Sequence, residues 1–139
     1  KAIEKFLKVG KDAMFAGIAQ AKVGNRVGNI SQAIQGMVEG AGFSVVRNLV
    51  GHGVGEELHM NPEIPGYLEK KMEKTPILKA GMTLAVEVIY TMGDKEVVYE
   101  GSDGWTIITA DGQLAGMFER SILVTEDGDP VILTPGTGI

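Results

Sequence analysis

Two apolar segments of this chain each carry a single glutamate: Glu87 within Met82-Thr-Leu-Ala-Val-Glu-Val-Ile-Tyr90, and Glu119 within Gly116-Met-Phe-Glu-Arg-Ser-Ile-Leu-Val124. Both read as strands. Glu87 has Val86 and Val88 beside it and shares its face with Thr83, Ala85 and Ile89, so neither side of the strand is wet. An ionised carboxylate there is costly unless a cation, a metal or a strong hydrogen bond compensates it, and few Lys or Arg lie nearby. Alternation sends Arg120 to the face opposite Glu119, so it is not the natural partner. Glu87 either pairs with Arg47, Arg120 or a backbone amide, or both glutamates share a divalent metal site. The metal site accounts for both residues at once and points to hydrolysis.

Gly51-His52-Gly53-Val54-Gly55 supplies a candidate third ligand. Glycine on each side of His52 removes side-chain bulk and lets backbone and substrate come close. The plainer reading is a histidine satisfied by a carbonyl in a glycine-rich turn. These glycines enter no predicted helix, so they are not a nucleotide-binding fingerprint. His59 follows closely enough to reach the same cleft, as a proton donor or hydrogen-bond partner to a reacting carbonyl, or else it is a surface histidine beside Asn61-Pro62. Trp105 follows the Asp103-Gly104 turn. A lone tryptophan is usually a core residue, and the minority reading makes it a pocket wall for an apolar side chain.

With no cysteine in the chain, thiolate sites and disulfides are excluded, which leaves His and carboxylates as the strong ligands. The 13 Lys+Arg stand against 18 Asp+Glu, a formal charge of -5. The one basic cluster, Lys70, Lys71 and Lys74, is diluted by Glu69 and Glu73, so no nucleic-acid binding is expected. No run is apolar enough to span a membrane and no signal peptide is seen, so the expectation is a soluble intracellular chain. Its 139 residues suffice for one core, and one domain over 1-139 is expected.

Ile3, Leu7, Gly10, Met14, Ile18 and Ala21 recur at helical spacing and predict an amphipathic helix up to about Ala21. No capping residue precedes it, which reads as a chain cut from something longer. Lys22 to Gly28 is a predicted loop. Asn29 with Gln32 forms a predicted capping box for a second helix that buries Ile30, Ile34, Met37, Val38 and Ala41 and ends at Gly40 and Gly42. The period then changes to that of strands: Ser44 to Val50, Met82 to Tyr90, Glu96 to Glu100, Trp105 to Ala110, Gln113 to Val124 and Val131 to Leu133. Asn61 to Thr75, with Pro62 and Pro65, is a predicted loop. Short turns between the later strands imply antiparallel pairing. The expected class is α+β, two N-terminal helices packed on a curved antiparallel sheet.

Taken in order, Ala41-Gly-Phe-Ser-Val-Val-Arg-Asn-Leu-Val-Gly-His-Gly-Val-Gly55, Gly81-Met-Thr83, Asp103-Gly-Trp-Thr106 and Glu119 through Gly128 resemble the C-terminal half of the type I methionine aminopeptidases, which have the pita-bread metallopeptidase fold. The resemblance implies half of that fold and a cytoplasmic metalloaminopeptidase that removes Met from nascent polypeptides. It implies two divalent metals (Co, Mn, Fe or Zn) held by two aspartates, one histidine and two glutamates. His52, Glu87 and Glu119 match the metal ligands, His59 the histidine that contacts the scissile carbonyl, and Leu58 and Trp105 the walls of the methionine pocket. The family's aspartates lie upstream of the first helix and are not matched here. Met60, Val88 and Arg120 stand where the family usually has an acidic residue, proline and histidine. The chain is then either half of an enzyme, whose partner is the other half or a second copy, or a non-catalytic pita-bread-like binding module that has lost its metal centre.

Overall fold

The computed structural model describes residues 1–136. Helix α1, Ala2–Ala19, buries Phe6, Gly10, Ala13, Met14, Gly17 and Ile18. Its buried stripe is therefore rotated from the expected one, and Ile3 and Leu7 are exposed. The aromatic ring of Phe6 sets the rotation by stacking on Tyr90 at 4.2 Å and meeting Phe43 edge-on at 5.1 Å. Helix α2, Val27–Gly40, begins ahead of the expected capping box. Asn29 lies inside the first turn, where its Oδ1 accepts the Arg26 N–H at 2.8 Å. The next two N–H groups are taken from outside the helix: Val27 donates to the Pro76 carbonyl at 2.9 Å and Gly28 to Thr75 Oγ1 at 3.1 Å. Long-range partners thus share with Asn29 the capping that local sequence alone was expected to supply. Of the expected stripe, Ile30, Ile34 and Val38 are buried, while Met37 is exposed.

The main sheet has six strands, all paired antiparallel: β1 Ser44–Val45, β2 Gly51–Gly53, β3 Met60–Ile64, β4 Thr83–Thr91, β7 Ala115–Leu123 and β8 Val131–Ile132. Its order is β3-β2-β4-β7-β8, with β1 and β2 sharing one edge of β4. A separate two-stranded sheet joins β5 Val97–Tyr99 to β6 Ile107–Thr109. The expected loop from Asn61 to Thr75 opens instead with β3 and ends in a 3-10 turn at Met72–Lys74. Pro62 is tolerated in β3 because this is an edge strand, where a missing N–H need not break a ladder. The strand expected over Ser44 to Val50 is short, since the chain turns at Arg47, whose guanidinium pairs with Glu39 at 2.8 Å and stacks on Tyr67.

β4 shows the alternation that organises the fold. Leu84, Val86, Val88 and Tyr90 face the helices and are at most 1% exposed, while Thr83, Ala85, Glu87, Ile89 and Thr91 line the other face. Tyr90 is the keystone of the helix-facing side, with its hydroxyl donating to the Phe6 carbonyl at 2.6 Å. No helix among the described residues is long and apolar enough to cross a membrane.

Gly10 is required by this packing, because a Cβ built there would lie 2.2 Å from Tyr90 Oη. Gly10→Ala is expected to destabilise the chain by about 1–3 kcal/mol through overpacking. Gly36→Ala, within α2 where a Cβ meets nothing within 4 Å, should instead stabilise by about 0.5–1 kcal/mol. Urea denaturation of both variants checks the pair, and equal effects would contradict the packing described.

Candidate metal centre

β2 is squeezed between β3 and β4. A Cβ on Gly51 would lie 2.5 Å from the Ala85 carbonyl oxygen, and one on Gly53 would lie 2.3 Å from that of Asn61. Glycine on both sides therefore lets the strand approach its neighbours and leaves His52 as its only side chain. His52 pairs with Ala85 across β2 and β4, which puts the imidazole on the face that carries Glu87. Its Nδ1 lies 2.8 Å from the Gly53 carbonyl oxygen. A carbonyl can only accept, so the hydrogen bond assigns the proton to Nδ1 and leaves the Nε2 lone pair facing outward.

That lone pair points at a carboxylate: Nε2 lies 3.1 Å from Glu87 Oε1, with both side chains about nine-tenths buried. Two acceptors this close need a proton or a cation between them. Glu119 stands directly opposite Glu87 in the β4–β7 register, and like charges facing each other across a ladder repel. Burial first, and the Glu119 charge second, push the Glu87 carboxyl above its ordinary range; His52 opposes them in part. Neither arginine considered as a partner relieves the pair. Arg47 is engaged with Glu39 and Tyr67, and Arg120 donates to the Glu119 backbone carbonyl at 2.7 Å.

The donor set fits a divalent cation. One ligand atom from each of His52, Glu87 and Glu119 lies within 4.8 Å of the others. With metal–ligand bonds of about 2.0–2.2 Å, neighbouring ligands on one ion sit about 3 Å apart, as His52 and Glu87 do. An imidazole with two carboxylates suits Mn, Fe, Co or Zn. A cleft of about 550 Å³ lined by Val27, Tyr67, Leu68 and Met82 lies elsewhere and contains none of the three ligand candidates. Its charged lining, Glu63, Glu69, Lys70 and Lys74, mixes ammonium with carboxylate groups, whereas among the described residues the trio is the group that could share a metal ion.

His59 joins the trio, its ring centroid 4.4 Å from that of His52 at an interplanar angle of 67°. The structure does not enclose the two remaining sequence candidates. Leu58 is 70% exposed, and Trp105 is 84% exposed just before β6, in the smaller sheet. Trp105 is therefore not the core residue that its type suggests. Asp103 organises its turn by accepting the Trp105 and Thr106 N–H groups at 2.9 and 3.0 Å. The partner of His52, a backbone carbonyl, leaves no mark in a sequence. The Glu87–Glu119 register is equally silent until the strands are paired.

The folded chain holds the Glu87 proton to higher pH than the unfolded chain does. Stability therefore falls as pH rises from about 4.5 through the raised value and stays lower above it. Metal-free Glu87→Gln is expected to melt a few degrees above the parent at pH 7, with a smaller difference at pH 4. Scanning calorimetry in the presence of a chelator measures both, and an equal or lower melting temperature for the variant at pH 7 would contradict the strain described.

The sequence profile of Metallopeptidase family M24 matches residues 1–126. Methionine aminopeptidase 1 of Bacillus subtilis is 43% identical over 129 residues, which cover 93% of this chain and 51% of the relative. Among solved structures, the methionine aminopeptidase from Thermotoga maritima superposes with a TM-score of 0.86 at 43% identity, covering 93% of this chain and 50% of that one. The methionine aminopeptidase from Rickettsia prowazekii gives 0.89 at 35% identity, covering 96% and 52%. The chain thus spans about half the length of the relatives it matches, and its two helices and antiparallel sheet form half of the pita-bread fold. With the family profile matched over most of its length and the architecture in agreement, the chain belongs to Metallopeptidase family M24.

Proposed function

We propose that residues 1-139 are the C-terminal portion of a methionine aminopeptidase catalytic domain, supplying one side of a site that removes N-terminal Met from nascent polypeptides in the cytoplasm. The observation that carries this reading is the convergence of His52, Glu87 and Glu119 ligand atoms within 4.8 Å, with His59 alongside. His52, Glu87 and Glu119 would hold a divalent cation, and in the complete family site a second. Such a cation supplies Lewis-acid chemistry, the activation of water for attack on a peptide bond.

The remaining work falls to this chain's own groups. The Gly53 carbonyl keeps the His52 proton on Nδ1 and so keeps Nε2 available as a ligand. Glu87 and Glu119 concentrate negative charge on one face of the sheet, which favours a cation over a neutral occupant. His59 is exposed, next to His52 and free to turn a ring N–H toward the substrate carbonyl, where it stabilises charge that develops on that oxygen. Leu58 and Trp105 present apolar walls to a methionine side chain once another surface closes over them. The apolar side chains left exposed around the strands, Met117 at 56%, Leu114 at 52% and Leu133 at 48%, support a partner that covers them, either the other half of the fold or a second copy.

The alternative, a binding module without a metal centre, rested on the departures at Val88 and Arg120. Both residues lie on the helix-facing side of the sheet. Val88 is fully buried in the core, and Arg120 pairs in register with Val86. Neither touches the ligand atoms, so these substitutions give the alternative little support.

Alone, the chain is expected to turn over Met-Ala peptides far below about 1 per second, the low end of ordinary enzymes. Supplied with an upstream half that carries the two aspartates, it should release N-terminal Met in a metal-dependent way. In that complex Glu119→Gln should abolish release, and His59→Ala should lower kcat by more than it lowers metal affinity. A complex that folds, binds two metals and still cleaves nothing would overturn the aminopeptidase reading.

A further inference from the structure

The outer edge of β7 is satisfied in three different ways along its length. At Leu123 and Ile122 it pairs with β8, opposite Val131 and Ile132. At Ser121 the chain beyond β8 takes over: Leu133 donates its N–H to the Ser121 carbonyl at 2.8 Å, and the Ser121 N–H donates to Thr134 Oγ1 at 2.8 Å. Both backbone groups of Ser121 therefore face outward, away from β4. In a strand, backbone direction repeats every second residue, so the backbone groups of Glu119 face outward as well. There, among the described residues, the strap gives no further backbone hydrogen bond, and Arg120 Nη1 donates to the Glu119 carbonyl at 2.7 Å.

The guanidinium that makes this bond is packed rather than solvated. Its Nε is buried without a hydrogen-bond partner among the described residues. Its Nη2 lies so close to Gly136 that a Cβ there would come within 2.6 Å, and Gly136 adopts φ +73°. The strap thus presses Arg120 from one side while Arg120 holds the Glu119 carbonyl on the other. The side chain itself projects from the face opposite the carboxylate, in register with Val86. Any influence on Glu119 runs through the backbone.

We propose that Arg120 is a positioning residue for Glu119: clamped by the strap at Gly136, it fixes the β7 backbone so that the Glu119 carboxylate meets Glu87 and His52. This role rests on Glu119 being a metal ligand, and it gives Thr134–Gly136, which lie against Ser121 and Arg120, a part in the site. Groups that orient a ligand without touching the ion typically change metal affinity by 10- to 100-fold when removed.

The test is a Co2+ titration of the full chain and of its Arg120→Ala, Arg120→Lys, Gly136→Ala and Glu119→Gln forms, followed by paramagnetic shifts of backbone amides, a readout that also registers weak binding. Thermal melting of each form is recorded alongside. Arg120→Ala is expected to weaken Co2+ binding by about 10- to 100-fold, and Arg120→Lys, which keeps a donor and the charge, to recover part of that loss. Gly136→Ala should weaken binding in the same direction with the arginine intact. The amides of Ala115 to Ser121 should shift in Arg120→Ala before any metal is added. Binding lost in Glu119→Gln but within about twofold of the parent in Arg120→Ala and Gly136→Ala would overturn the positioning role alone. So would a loss that merely tracks the melting temperature. A parent chain that binds no Co2+ would overturn the ligand reading of Glu119 and the role built on it together.

Discussion

Two glutamates face each other across one pair of strands, and the rest of the site depends on that repulsion being relieved. Glu87 and Glu119 occupy partner positions in the β4–β7 ladder, and His52 reaches the first of them at 3.1 Å from the neighbouring strand. Among the described residues no guanidinium or ammonium is paired with either carboxylate, and the arginines closest in sequence or considered as partners are engaged elsewhere. A fold that retains such an arrangement on an apolar sheet gives up stability at this spot. Within a metallopeptidase family the proposed function gives that cost a chemical counterpart, since the same charges that repel each other would hold a cation.

The sheet separates structure from chemistry by alternation alone. Even-numbered residues of β4 pack under the helices, with Tyr90 wedged against Gly10 and bonded to the Phe6 carbonyl, while odd-numbered residues form the face on which the ligand candidates meet. This separation puts Val88 and Arg120 on the face away from the ligand candidates. It also places Arg120 where it can act on Glu119 only through the strand they share.

Much of this was legible in the residues. The helical period, the shift to strand alternation after Phe43 and the turn signals place most elements, because each depends on local spacing. Glutamates in apolar strands and a histidine between glycines identify the ligand candidates for the same reason: their local context is chemically costly. What escaped is long-range. The start of α2 is set by Thr75 and Pro76, far away in sequence, and β3 exists because β2 offers an edge to a segment whose prolines read as loop. The rotation of α1 follows from Phe6 meeting Tyr90, and the exposure of Trp105 follows from a small sheet that stands apart from the main one. The Glu87–Glu119 register and the Gly53 carbonyl behind His52 likewise appear only when the strands are paired.

The central claim is that one cation belongs between His52 Nε2 and the two carboxylates. Anomalous diffraction at the manganese edge, from crystals of this chain grown with Mn2+, tests it directly. The account predicts a peak about 2.0–2.2 Å from His52 Nε2 and from an oxygen of each glutamate, with Nδ1 still bonded to the Gly53 carbonyl. A manganese peak elsewhere, or a metal-free site in which a proton shared between His52 and Glu87 holds the two together while Glu119 turns away, would contradict it.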